Sequence, residues 1–336
     1  ELRGVAKTYG GRSVVGPLDL SVAKGEFVAL LGGSGCGKTT TLKMINGLVT
    51  PDAGEVLIEG VASGAEPPWR LRRRIGYVFQ VIGLFPHMSV ARQLAFPVDA
   101  DAASARYWLD HLGLTQLVAR LPHQLSFGQR QRVALARALT RHSELLLFDE
   151  PFAALDTPRR RRLQQSLRAL QREIAAVTVI VTHDPDEAAL LADEVLVVEQ
   201  GRVLQAGSID TVFERPASMR VAELLGLHNV GVGSMTAPRQ VEIGHGLAIA
   251  TGDSGSDLPA GQRVMWRISS HAVTISPDGA HAGVVDAVEL RRGDRYVRLN
   301  IVGMRLDIAN EDTRLREGSP CRIDIDAAGV SVWNVS

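Results

Sequence analysis

A glycine-rich stretch that ends in lysine and threonine is the strongest chemical signal in the chain. Residues 32–39 match the phosphate-binding pattern GxxxxGK[ST] at every fixed position. An apolar run, residues 26–31, precedes the stretch, and apolar residues at helical spacing follow it. A glycine turn between a strand and a helix points backbone N–H groups at one anion, and the helix dipole strengthens the attraction. The pattern therefore predicts a nucleoside triphosphate site.

Residues of this loop have separate predicted tasks. The Lys38 ammonium is expected to reach the β- and γ-phosphates, and the Thr39 hydroxyl is expected to bind Mg²⁺. The glycines let the backbone approach the phosphates closely. The predicted nucleotide contacts in the loop are Gly32, Gly33, Ser34, Gly35, Cys36, Gly37, Lys38, Thr39 and Thr40.

A pair of acids after the apolar run 145–148 is the second chemical signal. A buried strand would deliver Asp149 at its carboxyl end, beside the phosphate loop of a parallel sheet. Asp149 is suited to bind Mg²⁺ through a water molecule of the metal's coordination sphere. Glu150 would point to the other side of the strand, where it can polarise the water that attacks the γ-phosphate. The pair predicts hydrolysis of the bound triphosphate.

Composition limits the class of protein. The chain has 336 residues, 45% of them hydrophobic, which is enough for two domains with ordinary cores. Lys+Arg and Asp+Glu both number 37, and this balance provides no basic field for nucleic acid. Two cysteines, Cys36 and Cys321, are too few for a disulfide scaffold and fit a reducing cytoplasm. No apolar stretch approaches the ~18 residues of a membrane span, so we expect a soluble chain that needs a partner to act at a membrane.

Residues 125–139 predict a helix with a defined start. Ser126 stands at the cap and Gln129 follows three residues later, which is the spacing of a capping box. A capped helix start is another anion site. A well-capped core helix would show the same pattern, so the pattern by itself leaves both interpretations open.

The order and spacing of these motifs resemble the ATP-binding cassette (ABC) ATPases. The phosphate loop, the LSxGQ-type stretch at 125–129 and the LLLFDEP strand at 145–151 carry the resemblance. Further residues match the family's motifs within residues 1–215. They are Tyr9, expected to stack on adenine; Gln80, expected to touch Mg²⁺ and the attacking water; Asp156, expected to couple the two sites of a dimer; and His183, expected to contact the γ-phosphate.

The resemblance also implies a head-to-tail homodimer. Ser126, Gly128 and Gln129 would face the γ-phosphate bound by the partner copy, so that two nucleotides are buried between two chains. The family's usual stretch reads LSGGQ, whereas this chain has Phe127 at the first glycine. Close approach of the backbone matters most at Gly128, so we expect Phe127 to be tolerated.

The implied fold class is α/β, a P-loop NTPase (RecA-like) ABC nucleotide-binding domain with a helical subdomain at about 87–140. From about residue 229, short alternating runs between glycine and proline turns predict the strands of a small all-β, OB-like barrel. Residues 291–297 resemble a strand motif of the TOBE-type regulatory domains of importer ATPases. An oligonucleotide-binding barrel is the alternative, but aromatic stacking residues are scarce. The predicted domains are 1–228 and 229–336.

The resemblance favours the ATPase subunit of a prokaryotic, binding-protein-dependent ABC importer. Such a subunit would use ATP and Mg²⁺ as a homodimer, bound peripherally at the cytoplasmic face of the inner membrane. Its partners would be integral membrane permease subunits and, indirectly, an extracytoplasmic solute-binding protein; no nucleic acid is expected. The apolar loop at 81–98, with Leu84, Phe85 and Met88, suits docking to a permease helix or packing of the helical subdomain. The alternatives are a soluble, non-transport cassette protein and a single-site P-loop kinase or GTPase.

No residue of the catalytic motifs is expected to contact the transported solute, so these motifs do not identify it. Residues 42–48, 72–77 and 82–87 resemble the importers of quaternary-amine osmoprotectants. The predicted barrel and the junction at 221–230 resemble importers of inorganic ions and of sugars. We rank an inorganic ion or sugar-type solute first and a quaternary amine as the alternative.

Overall fold

The computed structural model describes residues 1–80, 82–97, 100–140, 143–152, 157–291, 294–310 and 314–335. The chain divides into two compact units, Glu1–Val212 and Phe213–Ser336, which we call unit 1 and unit 2. Each unit buries a hydrophobic core of its own. Across the described ranges, no helix combines the length and the apolar content of a membrane span.

Unit 1 alternates strands and helices. Its described strands are β1 (Leu2–Tyr9), β2 (Arg12–Leu20), β3 (Phe27–Leu31), β4 (Ala53–Ile58), β5 (Val61–Ala62), β6 (Ile75–Val78), β7 (Leu145–Asp149), β8 (Val177–Thr182), β9 (Glu194–Glu199) and β10 (Arg202–Ser208). Its described α-helices are α1 (Lys38–Ile45), α2 (Pro68–Arg73), α3 (Val90–Ala95), α4 (Ala102–His111), α5 (Phe127–Leu139), α6 (Thr157–Ile174) and α7 (Pro185–Leu191). Helix α8 (Ile209–Glu214) follows β10.

A mostly parallel sheet forms the centre of unit 1. Its strand order is β10-β9-β3-β8-β7-β6, and only the β10–β9 pair within it is antiparallel. Strands β3 and β7 are buried along their whole length, as expected for apolar runs in a sheet covered on both faces. Parallel strands end at the same edge of a sheet. The residues that follow β3, β6, β7 and β8 therefore lie along one edge.

A second sheet, β2-β1-β4-β5, is antiparallel and packs into the same core. Its inward residues Val5, Val15 and Val56 share one hydrophobic cluster with Val28 and Leu147 of the parallel sheet. This arrangement places the end of β1, with Tyr9, in the same unit as the phosphate loop.

Between β6 and β7 the described chain is helical. Helices α3, α4 and α5 lie here, and two described 3₁₀-helices, Thr115–Leu117 and Pro122–Gln124, lie between α4 and α5. The predicted capping box of α5 is confirmed, because Ser126 and Gln129 satisfy each other's backbone N–H groups. Apolar residues at helical spacing along α5 are buried, so burial of one face holds the helix in place.

Unit 2 is antiparallel β structure with short helical segments. Helix α9 (Met219–Leu224) lies in unit 2 ahead of its strands, and the described 3₁₀-helices of the unit are Asp253–Gly255 and Ala327–Gly329. Its described strands are β11 (Val230–Ala237), β12 (Gln240–Glu242), β13 (Ala248–Ala250), β14 (Arg263–Ile268), β15 (Val273–Ile275), β16 (His281–Arg291), β17 (Asp294–Ile301), β18 (Met304–Ala309), β19 (Pro320–Ile325) and β20 (Val330–Asn334).

Two five-stranded sheets form unit 2, in the orders β13-β12-β11-β14-β20 and β15-β19-β16-β17-β18. Alternate residues of β17 and β18, such as Val297, Leu299 and Leu306, are fully buried in the shared core. The strand-period alternation expected from residue 229 onward is thus confirmed. The α/β unit followed by a curled, half-barrel β unit confirms the predicted fold class.

The division between the units lies at 212/213, whereas the sequence pattern places a domain boundary at 228/229. Two hydrogen bonds join residues 213 and 216 to strands of unit 2. Arg267 Nη1 donates to the Phe213 carbonyl at 2.7 Å, and Trp333 Nε1 donates to the Pro216 carbonyl at 3.1 Å. The point at which unit 1 can fold alone stays a prediction, and its test is given in the Discussion.

Candidate functional site

The phosphate loop connects β3 to α1 at the carboxyl edge of the parallel sheet. Gly35 and Gly37 have φ of +77° and +98°, a region that residues with a Cβ rarely adopt. A Cβ on Gly32 would lie 2.0 Å from the Val198 carbonyl oxygen. The loop therefore needs glycine for its shape, and a loop of this kind ahead of a helix binds phosphate through backbone N–H groups.

Lys38 supplies the positive charge of this loop. It is the first residue of α1 and is 6% exposed. Its Nζ donates to the carbonyl oxygens of Gly32 and Gly33, at 2.8 and 2.7 Å. The Cys36 Sγ atom lies 3.5 Å from the same nitrogen. The ammonium is thus held within the loop, where it can neutralise phosphate oxygens.

Thr39 and Asp149 form a contact between the loop and the end of β7. The Thr39 hydroxyl donates to Asp149 Oδ1 at 3.0 Å, and Asp149 is 2% exposed. Burial raises the pKa of the Asp149 carboxyl, the bond from Thr39 lowers it, and the neighbouring Glu150 charge raises it, with a net increase. A hydroxyl and a carboxylate are oxygen donors of the kind that Mg²⁺ prefers. The two residues therefore fit the predicted metal site.

Glu150 and His183 come together at the same edge, from strands β7 and β8. The distance from His183 Nδ1 to Glu150 Oε1 is 3.4 Å. Glu150 has φ of +49°, a strained conformation for a residue with a side chain, and its N–H donates to the Val181 carbonyl at 3.0 Å. Gln131 Nε2 lies 3.4 Å from the Glu150 carbonyl oxygen, which it can donate to. The Glu150 carboxylate thus lies beside the His183 imidazole at the carboxyl edge of the parallel sheet.

Glu187 is a buried carboxylate beside this pair that sequence reasoning missed. With Glu150 and His183 it lines a small cavity of about 90 Å³. Its only sequence signal is an acid in the first turn of a helix, which is favourable in any helix. Burial raises the pKa of Glu187, whereas hydrogen bonds from side chains lower it, and the net direction is upward.

Tyr9 and Gln80 are exposed at the ends of β1 and β6. The Lys7 ammonium lies 5.5 Å from the centre of the Tyr9 ring. Gln80 follows β6, which is the outermost strand of the parallel sheet beside β7. In the part of the chain that the structure describes, neither side chain is hydrogen-bonded to Lys38, Asp149 or Glu150. Their predicted contacts, with the adenine ring and with Mg²⁺ and water, stay predictions.

Ser126, Gly128 and Gln129 start α5 in a different place. The Gln129 N–H donates to Ser126 Oγ at 3.2 Å, and the Ser126 N–H donates to Gln129 Oε1 at 2.8 Å. Both residues line a polar groove of about 830 Å³, whose described lining includes none of residues 32–40. Phe127 is 56% exposed, so its bulk displaces no core side chain. Within one chain, the start of α5 and the phosphate loop therefore do not line the same groove.

Three predicted site residues remain to be placed, Ser34, Thr40 and Asp156. Ser34 is exposed and Thr40 is half-buried, both in or directly after the phosphate loop. Asp156 lies outside the described residues, and its role in coupling two sites stays a prediction.

Comparison with known proteins identifies relatives along most of the chain. A family model described as ABC transporter matches residues 15–153. Choline transport ATP-binding protein OpuBA of Bacillus subtilis (strain 168) is 43% identical over 310 residues, which cover 90% of this chain and 74% of the relative. Glycine betaine/carnitine/choline transport ATP-binding protein OpuCA of the same organism is 42% identical over 235 residues, 67% of this chain and 62% of the relative.

Polyamine transport proteins are similar to the same degree. Spermidine/putrescine import ATP-binding protein PotA of Oleidesulfovibrio alaskensis is 41% identical over 246 residues, covering 71% of this chain and 65% of the relative. The chain thus spans less than two thirds of the length of OpuCA and of PotA. Among solved structures, the dimeric post-hydrolysis state of the ATP-binding cassette MJ0796 bound to ADP and Pi has a TM-score of 0.58 and 31% identity, covering 62% of this chain and 97% of that one.

Proposed function

The chain belongs to the ABC transporter family and carries its ATPase domain, and from this premise we propose that it powers solute import through a partner permease. The names of the relatives, which are transport and import ATP-binding proteins, support the import, and one observation carries the ATP hydrolysis that would power it. The Thr39–Asp149 contact and the Glu150–His183 contact lie at the same sheet edge, beside the phosphate loop. The first offers oxygen ligands, and the second offers a base and a hydrogen-bond donor for the γ-phosphate.

Binding of ATP would rest on the loop and the metal ligands. Backbone N–H groups of residues 32–39 and the Lys38 ammonium would hold the β- and γ-phosphates. When bound, Mg²⁺ supplies positive charge at the phosphate oxygens, and its ligands would be Thr39, Gln80 and, through water, Asp149. Tyr9 would stack on the adenine ring.

Hydrolysis would need a base for the attacking water and a group that hydrogen-bonds to the γ-phosphate. Glu150 would accept a proton from the attacking water while the bond between the γ-phosphorus and the bridging oxygen of ADP breaks. The products are ADP and inorganic phosphate. The His183 imidazole, 3.4 Å from the Glu150 carboxylate, would donate a hydrogen bond to the γ-phosphate.

The dimer would complete each site. In one chain the groove at Ser126 and Gln129 is separate from the phosphate loop, so a head-to-tail copy is needed to bring a capped helix start to the γ-phosphate. The similar MJ0796 cassette is described as dimeric. Asp156 would couple the two sites. Loss of one γ-phosphate would then loosen the interface.

A groove of about 330 Å³ is the proposed permease contact. Its lining includes Leu48, Phe79, Phe85 and Phe96, and Phe79 and Phe96 are 37% and 52% exposed. The rings of Phe85 and Phe96 lie 4.4 Å apart. Apolar surface of this kind suits an apolar helix of a permease. This docking would place the chain at the cytoplasmic face of the inner membrane.

Unit 2 is proposed to be a TOBE-type regulatory domain. Its all-antiparallel, two-sheet architecture is what supports the assignment. The identity of the transported solute is less directly supported. The sequence favours an inorganic ion or a sugar, whereas the relatives above have names with quaternary amines or polyamines. All four solute classes therefore belong in one transport assay, with an external binding protein.

Glu150→Gln is the test of the hydrolytic function. The amide retains shape but accepts no proton, so ATP turnover should fall by about 100-fold or more. Nucleotide binding should persist, and sedimentation with Mg-ATP should detect a stable dimer. Glu173→Gln, which changes an exposed acid of α6, is the matched control and should hydrolyse ATP as the unmodified protein does. Unchanged turnover in Glu150→Gln would refute the proposal.

A further inference from the structure

Gln93 is a polar side chain on α3 that is 0% exposed and has no part in the mechanism above. Burying an amide is unfavourable unless hydrogen bonds replace its hydration. The Gln93 Nε2 atom donates to the Phe85 carbonyl at 2.6 Å and to the Met88 carbonyl at 3.3 Å. Its Oε1 atom accepts the Phe85 N–H at 3.3 Å. One buried side chain therefore bonds to the backbone of the 83–88 segment at three points.

Arg137 holds the same segment from α5. Its Nη1 donates to Gln93 Oε1 at 3.1 Å, and its Nη2 donates to the Gly83 carbonyl at 2.8 Å. The guanidinium carbon also lies 5.5 Å from the centre of the Phe85 ring, within reach of a cation–π contact. Burial lowers the pKa of Arg137, and the two oxygen acceptors replace part of the hydration that its charge loses. Gln93 and Arg137 thus fix residues 83–88, which we call loop 83–88.

Loop 83–88 begins three residues after Gln80. Its first residue packs against the residue before Gln80, because a Cβ on Gly83 would lie 3.8 Å from Phe79 Cδ2. The Phe79 ring in turn stands edge-on to the Tyr77 ring of β6, with 4.1 Å between the ring centres. The chain is therefore held on both sides of Gln80, by ring packing before it and by the Arg137 bond to Gly83 after it.

The direction of the Gln80 side chain depends on this backbone. Gln80 is exposed and follows β6, which lies beside the acid strand β7. Few packing contacts restrain an exposed side chain, so the chain on either side has to aim it. A displacement of about 1 Å at a catalytic group can lower a rate by roughly 100-fold.

We propose that Gln93 and Arg137 are positioning residues for ATP hydrolysis: they hold loop 83–88 so that Gln80 is presented to the metal and the attacking water. The inference rests on the proposed function and on the role of Gln80 within it. Neither Gln93 nor Arg137 contacts the nucleotide or transfers a proton in this role.

Steady-state hydrolysis by full-length Arg137→Met and Arg137→Lys is the first measurement. Methionine keeps an unbranched apolar stem but donates no hydrogen bond, so kcat should fall about 10- to 100-fold. Lysine keeps the charge and can still donate to the Gly83 carbonyl. Its kcat should stay within about 3-fold of the unmodified protein.

A double-variant comparison separates positioning from packing. Gln80→Ala removes the side chain that loop 83–88 presents, so adding Arg137→Met to Gln80→Ala should lower kcat by no more than about 2-fold. A packing role would lower kcat by the same factor with and without Gln80. Arg322→Met is the matched control, because Arg322 Nε donates to the Gly279 carbonyl at 2.6 Å in unit 2. Its kcat should equal that of the unmodified protein.

Amide hydrogen exchange of the full-length, nucleotide-free chain tests the loop without metal or turnover. The Phe85 N–H is bonded to Gln93 Oε1, so Gln93→Met should speed exchange of the 83–88 amides about 10-fold. Arg137→Met should do the same, since it also removes a bond to this backbone. Amides of β3 should exchange at the unmodified rate in both variants.

Each outcome decides the matter. Unchanged kcat in Arg137→Met, equal losses with and without Gln80, full turnover in Gln80→Ala, or unchanged exchange of the 83–88 amides would overturn the positioning role. If Arg137→Met does not fold, Gln93→Glu goes through the same comparison, because glutamate keeps an acceptor for Arg137 but no donor for the Phe85 and Met88 carbonyls. Loss of turnover in Glu150→Gln with full turnover in Arg137→Met refutes this inference alone. Full turnover in Glu150→Gln refutes the proposed function instead.

Discussion

Gly37→Ala is expected to destabilise unit 1, because the phosphate loop has no space for a side chain there. Gly37 has φ of +98°, and a Cβ would lie 2.3 Å from the Val14 carbonyl oxygen and 3.0 Å from Val15 Cγ2. A left-handed conformation costs an L-residue roughly 1–2 kcal/mol. Forcing a methyl group into a packed site adds about 1–3 kcal/mol. The expected loss of unfolding free energy is therefore about 2–5 kcal/mol.

Thermal unfolding followed by the helical band in circular dichroism measures this loss, since the long helices α5 and α6 belong to unit 1. For a domain of this size the melting temperature should fall by about 4–20 °C. Gly33→Ala is the matched control, because a Cβ on Gly33 meets no atom within 4 Å and its φ is not positive. Its melting temperature should change by no more than about 2 °C. Equal melting temperatures for Gly37→Ala and Gly33→Ala would refute the steric argument.

Three further predictions concern assembly, domain boundaries and pH. Ser126→Arg should abolish ATP hydrolysis but not crosslinking of nucleotide to the chain. Mixing the Ser126→Arg variant with the Lys38→Ala variant should restore one composite site in the heterodimer. Loss of crosslinking in Ser126→Arg would contradict a site shared between chains. A fragment ending at Leu227 should fold and bind ATP within several-fold of the full chain, and an insoluble fragment would contradict that boundary. Burial raises the pKa of Asp193, but hydrogen bonds from Arg168 and from the Phe27 N–H lower it more, so the pKa lies below its ordinary value. Asp193→Asn should therefore lower stability at neutral pH, and in denaturant unfolding the difference should shrink as the pH falls below about 4; a difference independent of pH would contradict this.

Local patterns in the sequence were sufficient for the parts of the site that lie within a few residues of one another. The phosphate loop between β3 and α1, the acids that end β7 and the capping box of α5 each depend on backbone geometry over one turn. Strand alternation in unit 2 is local in the same sense, because it records which face of each strand is buried.

Tertiary structure alone decided how these pieces meet. The order β3-β8-β7-β6 places β8 between the loop strand and the acid strand, and so brings His183 to Glu150 and Thr39 to Asp149. Strand order depends on pairing between segments far apart in the chain, which no local spacing records. The burial of Glu187 also depends on tertiary structure. An acid in the first turn of a helix has one sequence pattern whether it faces water or, as here, bonds to a side chain of a neighbouring helix.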